Sequence, residues 1–355
     1  MKPRLSVVIP TRDQCRRLEL VLCGLECQTL AAEEFEVLVV DDGCSDDTAE
    51  MVAGRGAANV RLLPPVPARG RNAARNRGIE AARGDWIVFL DGDALPAPDL
   101  LERYAEAFEE EGGDAVFCGL SYCLPDLEHF DDPQAGTPRA GAFPGALGRL
   151  LAARSGAMVV RQETVRDDFG RIAARAVLGG YPQAASRLRQ EQYLELHAAE
   201  PQARTGWVGF VPHNGGAPRD RLLEAGGFDV RIPFCEGWEL AYRLQLAGCR
   251  ARPVGAASYH LYHYHPFDDP EEARRQGNWR YDAVEYMANK HGDDRVRLLY
   301  GWFAALWPDG LFPDECRVHD LVDLERRYRS WPADMWRQFR VVLENHPFLP
   351  VSPLK

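Results

Sequence analysis

The sequence predicts an α/β fold: a mostly parallel sheet flanked by helices, with a helical C-terminal extension. Three observations carry this. Short β-branched apolar runs alternate with helix-period segments up to about residue 118. Polar or acidic residues follow those runs directly. Beyond Pro266 the pattern turns helical and rich in tryptophan.

The elements follow in order. Leu5 to Ile9 is a β-branched run stopped by Pro10. Arg16 to Cys27 has helical spacing through Leu18, Val21, Leu22 and Leu25. Phe35 to Val40 is a second strand, closed by Asp41-Asp42-Gly43, and Ser45 is placed to cap a helix running to Val52. Val60 to Leu63 is a third strand, Asn72 to Ala82 a helix, Trp86 to Leu90 a fourth strand, Pro98 to Glu110 a helix and Asp114 to Cys118 a fifth strand. From Leu124 to Arg204 the pattern weakens. Asp131 to Arg149 is rich in turn formers, and helices are expected near Ala146 to Ala153 and Tyr181 to Ala199. Trp207 to Val211 is predicted as a strand, Arg219 to Ala225 and Glu236 to Ala247 as helices, and Ala256 to His265 as the last strand. Alternating βα units imply parallel pairing, with ligands gathering at the carboxyl ends of the strands. Asp41, Asp42, Asp91 and Asp93 are therefore expected on one edge of one sheet.

Composition narrows the function classes. The 355 residues are 46% hydrophobic and 27% charged, which suits a folded globular chain. A net charge of -11 argues against nucleic acid or an anionic membrane as partner. No apolar run approaches the ~20 residues of a membrane span, and the N-terminus is too short in apolar residues for a signal peptide. The expectation is a soluble, cytoplasmic protein with reduced thiols. Cys23 and Cys27 could share a helix face, but no second pair at zinc-site spacing follows.

Two carboxylates held close together repel unless a cation or a proton intervenes. Mg²⁺ and Mn²⁺ favour carboxylate oxygen and commonly bridge it to substrate phosphates. Asp91-Gly92-Asp93 at a strand end suits such a role. It is also good turn chemistry, so context decides.

That context is a resemblance. SVVIPTRD (Ser6 to Asp13), VLVVDDGCSDDT (Val37 to Thr48), GRNAARNRGIEAARGDWIVFLDGDA (Gly70 to Ala94) and GGFDVRIPFCEGWELAYRLQLAG (Gly226 to Gly248) resemble, in order, blocks of the family 2 glycosyltransferases. The resemblance implies a GT-A fold with a Rossmann-like sheet and metal-dependent, inverting sugar transfer from a nucleotide sugar. It divides the chain into a nucleotide-sugar-binding half (1–118), an acceptor-side half (119–265) and a helical extension (266–355). It puts Pro10, Thr11 and Arg12 in the nucleotide pocket, Asp41 on the base with Asp42 beside it, and Arg75 on the nucleotide or an aspartate. Asp91 and Gly92 would face the donor, and Asp91 and Asp93 would hold Mn²⁺ or Mg²⁺. A carboxylate can accept from N3–H of uracil, which favours a UDP-sugar donor. The acceptor stays open among glycan, lipid-linked sugar, peptide and small metabolite.

The family usually places Glu-Asp at a helix start to supply the base. Here Gly237 stands where the aspartate is expected. Glu236 is the first choice for the base, Glu239 the second and Asp229 the third. His260 is the candidate third metal ligand. On a continuous strand His263 and His265 would point away from it. His213-Asn214-Gly215-Gly216 is either a contact to the sugar and diphosphate or a plain strand-to-helix turn. The extension packs on the acceptor side, caps the cleft or mediates a homodimer.

Rival readings lack their signatures. Lysine occurs only at Lys2, Lys290 and Lys355, which removes a receiver domain and a P-loop enzyme. Pro10-Thr11-Arg12-Asp13 replaces the glycine-rich turn of a dinucleotide enzyme. The alternative is a non-catalytic sugar- or nucleotide-binding protein on a degenerate GT-A fold, for which Gly237 is the best support.

Overall fold

The computed structural model describes residues 2–65, 70–139, 156, 158–232, 234–265, 279–306 and 317–330. The apolar runs form β1 (Leu5–Thr11), β2 (Phe35–Asp41), β3 (Val60–Leu63) and β4 (Trp86–Leu90), with α1 (Cys15–Glu26), α2 (Thr48–Gly54) and α3 (Arg71–Ala81) between them. Side chains of β1, β2 and β4 alternate between two cores. Val8, Leu38, Val40, Ile87 and Phe89 join one; Val7, Ile9, Val37, Val39, Val88 and Leu90 join the other. Period-two alternation with both faces apolar is what a sheet covered by helices on both sides requires.

Next come β5 (Ala94–Pro96), α4 (Leu100–Glu111) and β6 (Ala115–Cys123). The short pair β7 (Phe130–Asp132) and β8 (Thr137–Pro138) precedes α5 (Gln162–Asp167), α6 (Phe169–Ala173), β9 (Val177–Leu178) and α7 (Ala184–Ala199). Then follow β10 (Asn214–Pro218), α8 (Arg219–Glu224), α9 (Glu236–Leu246) and β11 (Arg250–His260). The sheet order is β3-β2-β1-β4-β10-β6-β11-β5, with β9 on β6. Pairing is parallel across β3-β2-β1-β4 and between β6 and β11; β10, β5 and β9 run antiparallel to their neighbours. The expected divide at 118/119 falls inside β6.

Two expected strands differ. Trp207 to Val211 is not a strand: Gly206–Gly209 is a 3₁₀ turn whose Trp207 and Val208 are buried. The strand is the glycine-rich β10. A Cβ on Gly215 would stand 2.8 Å from the Phe210 ring, and one on Gly216 would stand 2.9 Å from Phe108. The plain-turn option for residues 213–216 is thereby corrected. The last strand ends at His260 rather than His265. There the Leu261 amide donates to the Asp93 carbonyl (2.8 Å) and the buried Arg17 donates to the Leu261 carbonyl (3.0 Å). The helix expected near 146–153 lies outside the described residues.

In the extension, α10 (Trp279–His291), α11 (Leu298–Leu306) and α12 (Leu321–Ser330) put Met287, Trp302, Phe303 and Tyr328 into the core that holds Trp238 and Leu240 of α9. Among the described residues no helix is long and apolar enough to cross a membrane. The described cysteines are free thiols.

Candidate active site

Parallel register brings Thr11 opposite Asp41, so the ends of β1, β2 and β4 share one edge. A cleft of about 230 Å³ opens there. Pro10, Thr11, Arg12, Gln14, Asp42, Arg71, Asp91 and Asp93 line its donor side; Ser121, Tyr181, His213, His260, His263 and His265 line the other.

The two aspartates have different partners. Asp91 Oδ1 accepts from Arg75 Nη2 at 2.7 Å. Arg75 is fully buried over the Phe228 ring, and its Nη1 donates to Glu236 Oε1 at 2.8 Å. Asp93 Oδ2 lies 3.0 Å from Gln14 Nε2, 3.1 Å from His263 Nε2 and 3.6 Å from His260 Nε2. Burial alone would raise the Asp93 pKa, but the two imidazoles hold it well below the carboxylate range. Burial opposes a charge on His260 as well, and Asp93 outweighs it, so the His260 pKa rises. Gly92 leaves room for the Gln14 side chain: a Cβ there would stand 2.9 Å from Gln14 Oε1.

Of the predicted donor residues, Pro10, Thr11, Arg12, Asp42 and Asp91 line the cleft. Asp41 stands behind the rim, where its Oδ1 accepts from the amides of Gly43 and Cys44, both at 2.7 Å. Arg75 and Gly92 support the wall from behind. Thr11 Oγ1 is buried without a hydrogen-bond partner. The residues fit a divalent cation, because among the described residues a buried carboxylate and imidazole nitrogens converge there with no lysine or arginine nitrogen bonded to Asp93.

The expected bases are largely taken out of the cleft. Glu239 is fully buried and faces α10. It accepts from Arg243 (2.7 Å), Lys290 (2.6 Å) and His291 (3.0 Å), which bring its pKa down to about 2 against the effect of burial. Asp229 is bound by Arg231 (2.8 Å), Lys290 (2.7 Å) and Tyr286 (2.5 Å). Both assignments are corrected for the same reason: these carboxylates are structural, Glu239 tying α9 and Asp229 the loop before it to α10. Glu236 lies beside the cleft, its Oε1 shared between Arg75 and Arg71 Nε (2.9 Å).

At Gly237 a Cβ would stand 2.7 Å from both the Phe210 carbonyl oxygen and Pro212 Cδ. The 210–212 segment fills the space an aspartate would need and delivers His213 to the cleft. His213 Nε2 shares a hydrogen bond with Ser121 Oγ at 2.9 Å. Burial, with Arg189 and His260, lowers its pKa to about 4 against the pull of Asp91 and Asp93, so the ring is neutral at neutral pH. The sequence pattern missed the side chains of Gln14, Ser121, Tyr181 and His213. Arg71 was legible in principle, because it opens the helix that carries Arg75.

The class this architecture defines is the GT-A fold. The family model described as "Glycosyl transferase family 2" matches residues 6–160 of the chain. The chain is 29% identical over 187 residues to glycosyltransferase AglE of Haloferax volcanii, covering 50% of this chain and 59% of the relative. It is 26% identical over 345 residues to the uncharacterized glycosyltransferase YfnE of Bacillus subtilis, covering 93% and 80%. Among solved structures, S. aureus TarS superposes with a TM-score of 0.52 at 15% identity, over 96% of this chain and 55% of TarS, a likeness of fold.

Proposed function

We propose that the chain transfers a sugar from a UDP-sugar to an acceptor, with inversion and with a divalent cation held at Asp93. One observation carries this: Asp93 meets imidazole nitrogens at the strand-end rim, beside the exposed cations Arg12 and Arg71. A divalent cation there would offset the charge of a departing diphosphate. In this reading Arg71 and Arg12, which line the cleft, bind phosphate oxygens. Arg75 fixes Asp91 and Glu236, which makes Glu236 a positioning residue.

The acceptor's nucleophilic atom bonds to the anomeric carbon as the bond to the β-phosphate oxygen breaks. The bonding pair leaves with the nucleotide diphosphate, and the acceptor's proton passes to His213. Support for His213 is its place in the cleft, its neutral ring and the filled space at Gly237.

The test is nucleotide release from UDP-, GDP- and other nucleotide sugars with Mn²⁺, Mg²⁺ or EDTA. Release from UDP-sugars, dependent on metal and lost in Asp93→Asn, is expected. Release only from GDP-sugars would reassign the donor. No release from any nucleotide sugar with metal would overturn the enzymatic reading in favour of a binding protein.

A further inference from the structure

Beside the acceptor side of the cleft stands an arginine that the rest of the described structure does not use. We propose that Arg189 receives an oxyanion of the acceptor, a phosphate or a carboxylate, so that the acceptor is an anionic molecule; this rests on the transferase reading only in calling that ligand the acceptor.

Arg189 falls on the inward stripe of α7, whose Ser186, Gln192, Tyr193, Leu196 and His197 are buried. Helical spacing of three and four residues puts it on one face with Ser186, Gln192 and Tyr193. Contacts on either side of it fix where that face lies. Ser186 Oγ, one turn earlier, accepts from the Tyr181 amide at 3.2 Å. Gly179, at φ +101°, brings the 179–181 turn against the helix, and a Cβ there would stand 2.7 Å from the Arg187 nitrogen. Gln190 Oε1, one residue later, accepts from the Ser121 amide at 3.1 Å. Ser121 Oγ in turn shares its hydrogen bond with His213. Tyr181, Ser121 and His213 all line the acceptor side of the cleft, so Arg189 is bracketed by contacts to that wall. Its charge acts on both Tyr181 and His213.

What the guanidinium lacks is a partner. It carries five N–H donors, and withdrawal from water makes each unmet donor costly. Arg17 shows how this chain settles a buried guanidinium without a carboxylate: the carbonyl oxygens of Leu261, Phe130 and Asp131 take its N–H groups. Arg75 binds Asp91 and Glu236, and Arg71 binds Glu236. Among the described residues Arg189 makes neither a hydrogen bond nor an ion pair, and the titratable groups acting on it, Tyr181, Cys235 and Cys118, include no carboxylate. The residue is half-buried, so solvent still reaches it.

The chemistry that fits is an oxyanion. The guanidinium fork matches paired oxygens of phosphate or carboxylate, and the bonds are stronger for being charged on both sides. A neutral acceptor would leave the donors unmet. The donor's diphosphate does not fill this role, because Arg12, Arg71 and Asp93 line the opposite side of the cleft.

The experiment uses the full chain and matched probes, without donor. Glucose 6-phosphate and glucuronate are titrated by calorimetry against glucose, with inorganic phosphate and acetate as the bare anions. At least one anionic sugar should bind about 10-fold or more tightly than glucose. The stronger arm, phosphate or carboxylate, identifies the group. In Arg189→Gln that ratio should fall to about 1–3-fold, and Arg189→Lys, which keeps the charge without the fork, should restore part of it. Arg189→Gln should also melt at or above wild type, because an unmet guanidinium withdrawn from water does not stabilise the fold. A fall of more than about 3 °C would assign the side chain to the fold and overturn the proposal. So would equal binding of glucose and both anionic sugars by the wild-type protein, or no binding of any anionic probe at millimolar concentration; neither result needs a variant to fold. A ratio lost in Arg71→Gln but kept in Arg189→Gln would place the anion on the donor side, with the same consequence. Nucleotide release separates the two claims. An anion preference that depends on Arg189, in a chain that releases nucleotide from no nucleotide sugar, leaves the site standing and removes the transferase reading. Release stimulated equally by glucose and by the anionic sugars, in wild type and in Arg189→Gln, does the reverse.

Discussion

Replacing Gly237 by alanine tests whether the missing aspartate is a lost side chain or a filled space. Gly237 is the second residue of α9, where helix propensity alone favours alanine by up to about 1 kcal/mol. The structure predicts the opposite sign. A Cβ would stand 2.7 Å from the Phe210 carbonyl oxygen and 2.7 Å from Pro212 Cδ, and neither atom is the end of a flexible side chain. Overpacking of this kind costs about 1–3 kcal/mol. The net expectation is destabilisation by about 1–2 kcal/mol, a fall in Tm of about 1–3 °C. Gly237→Asp adds a carboxylate to the first turn, favourable by about 0.3–1 kcal/mol. It should therefore melt at or slightly above Gly237→Ala and below wild type. Thermal melts and urea titrations of the three proteins, followed by circular dichroism, give the comparison. If Gly237→Ala melts at or above wild type, the 210–212 segment does not fill this space. If Gly237→Asp also turns over faster, the carboxylate was simply lost and His213 has not taken its place.

Further outcomes are expected. His213→Gln should lower kcat by about 10²–10⁴-fold with donor affinity unchanged by calorimetry, whereas Glu236→Gln should weaken donor binding more than it slows turnover; the reverse pattern would return the base to Glu236. Arg75→Met leaves Asp91 and Glu236 without their shared buried partner and should cost about 3–5 kcal/mol in urea unfolding; a loss under about 1 kcal/mol would mean that water solvates them. His197 is buried, and neither of its nitrogens has a hydrogen-bond partner. Burial, with Arg252, depresses its pKa from 6.5 to about 4, against the pull of Glu325. The unfolded chain therefore binds this proton first as pH falls. The linked stability is intact above about 6.5 and declines toward pH 4, by about 3 kcal/mol. His197→Leu should flatten the urea midpoint between pH 7 and pH 4.5 relative to wild type, and an unchanged slope would refute the assignment.

The parts legible in the sequence are those that depend on local period. β1, β2 and β4 could be read because each alternates between two apolar cores, and the aspartates that follow them had to share an edge once the pairing was parallel. β10 was illegible for a local reason. Asn214-Gly215-Gly216 has no strand-like side chains, because Tyr104, Phe108 and Phe210 already occupy both of its faces. The histidines were misread by the same period-two rule that worked elsewhere. It holds only while a strand continues, and this one stops at His260 through contacts from Asp93 and Arg17, the latter 244 residues from the Leu261 it binds. Partner choice was equally hidden. Asp91, Glu236 and Glu239 are all carboxylates near motif positions, yet one guanidinium from α3 claims the first two, while the third is drawn to Lys290 and His291 of the extension. A motif identifies which residue types are present. Which of them keeps a lone pair for the reaction depends on cations that arrive from distant parts of the chain, and that is where the reading of the base had to change.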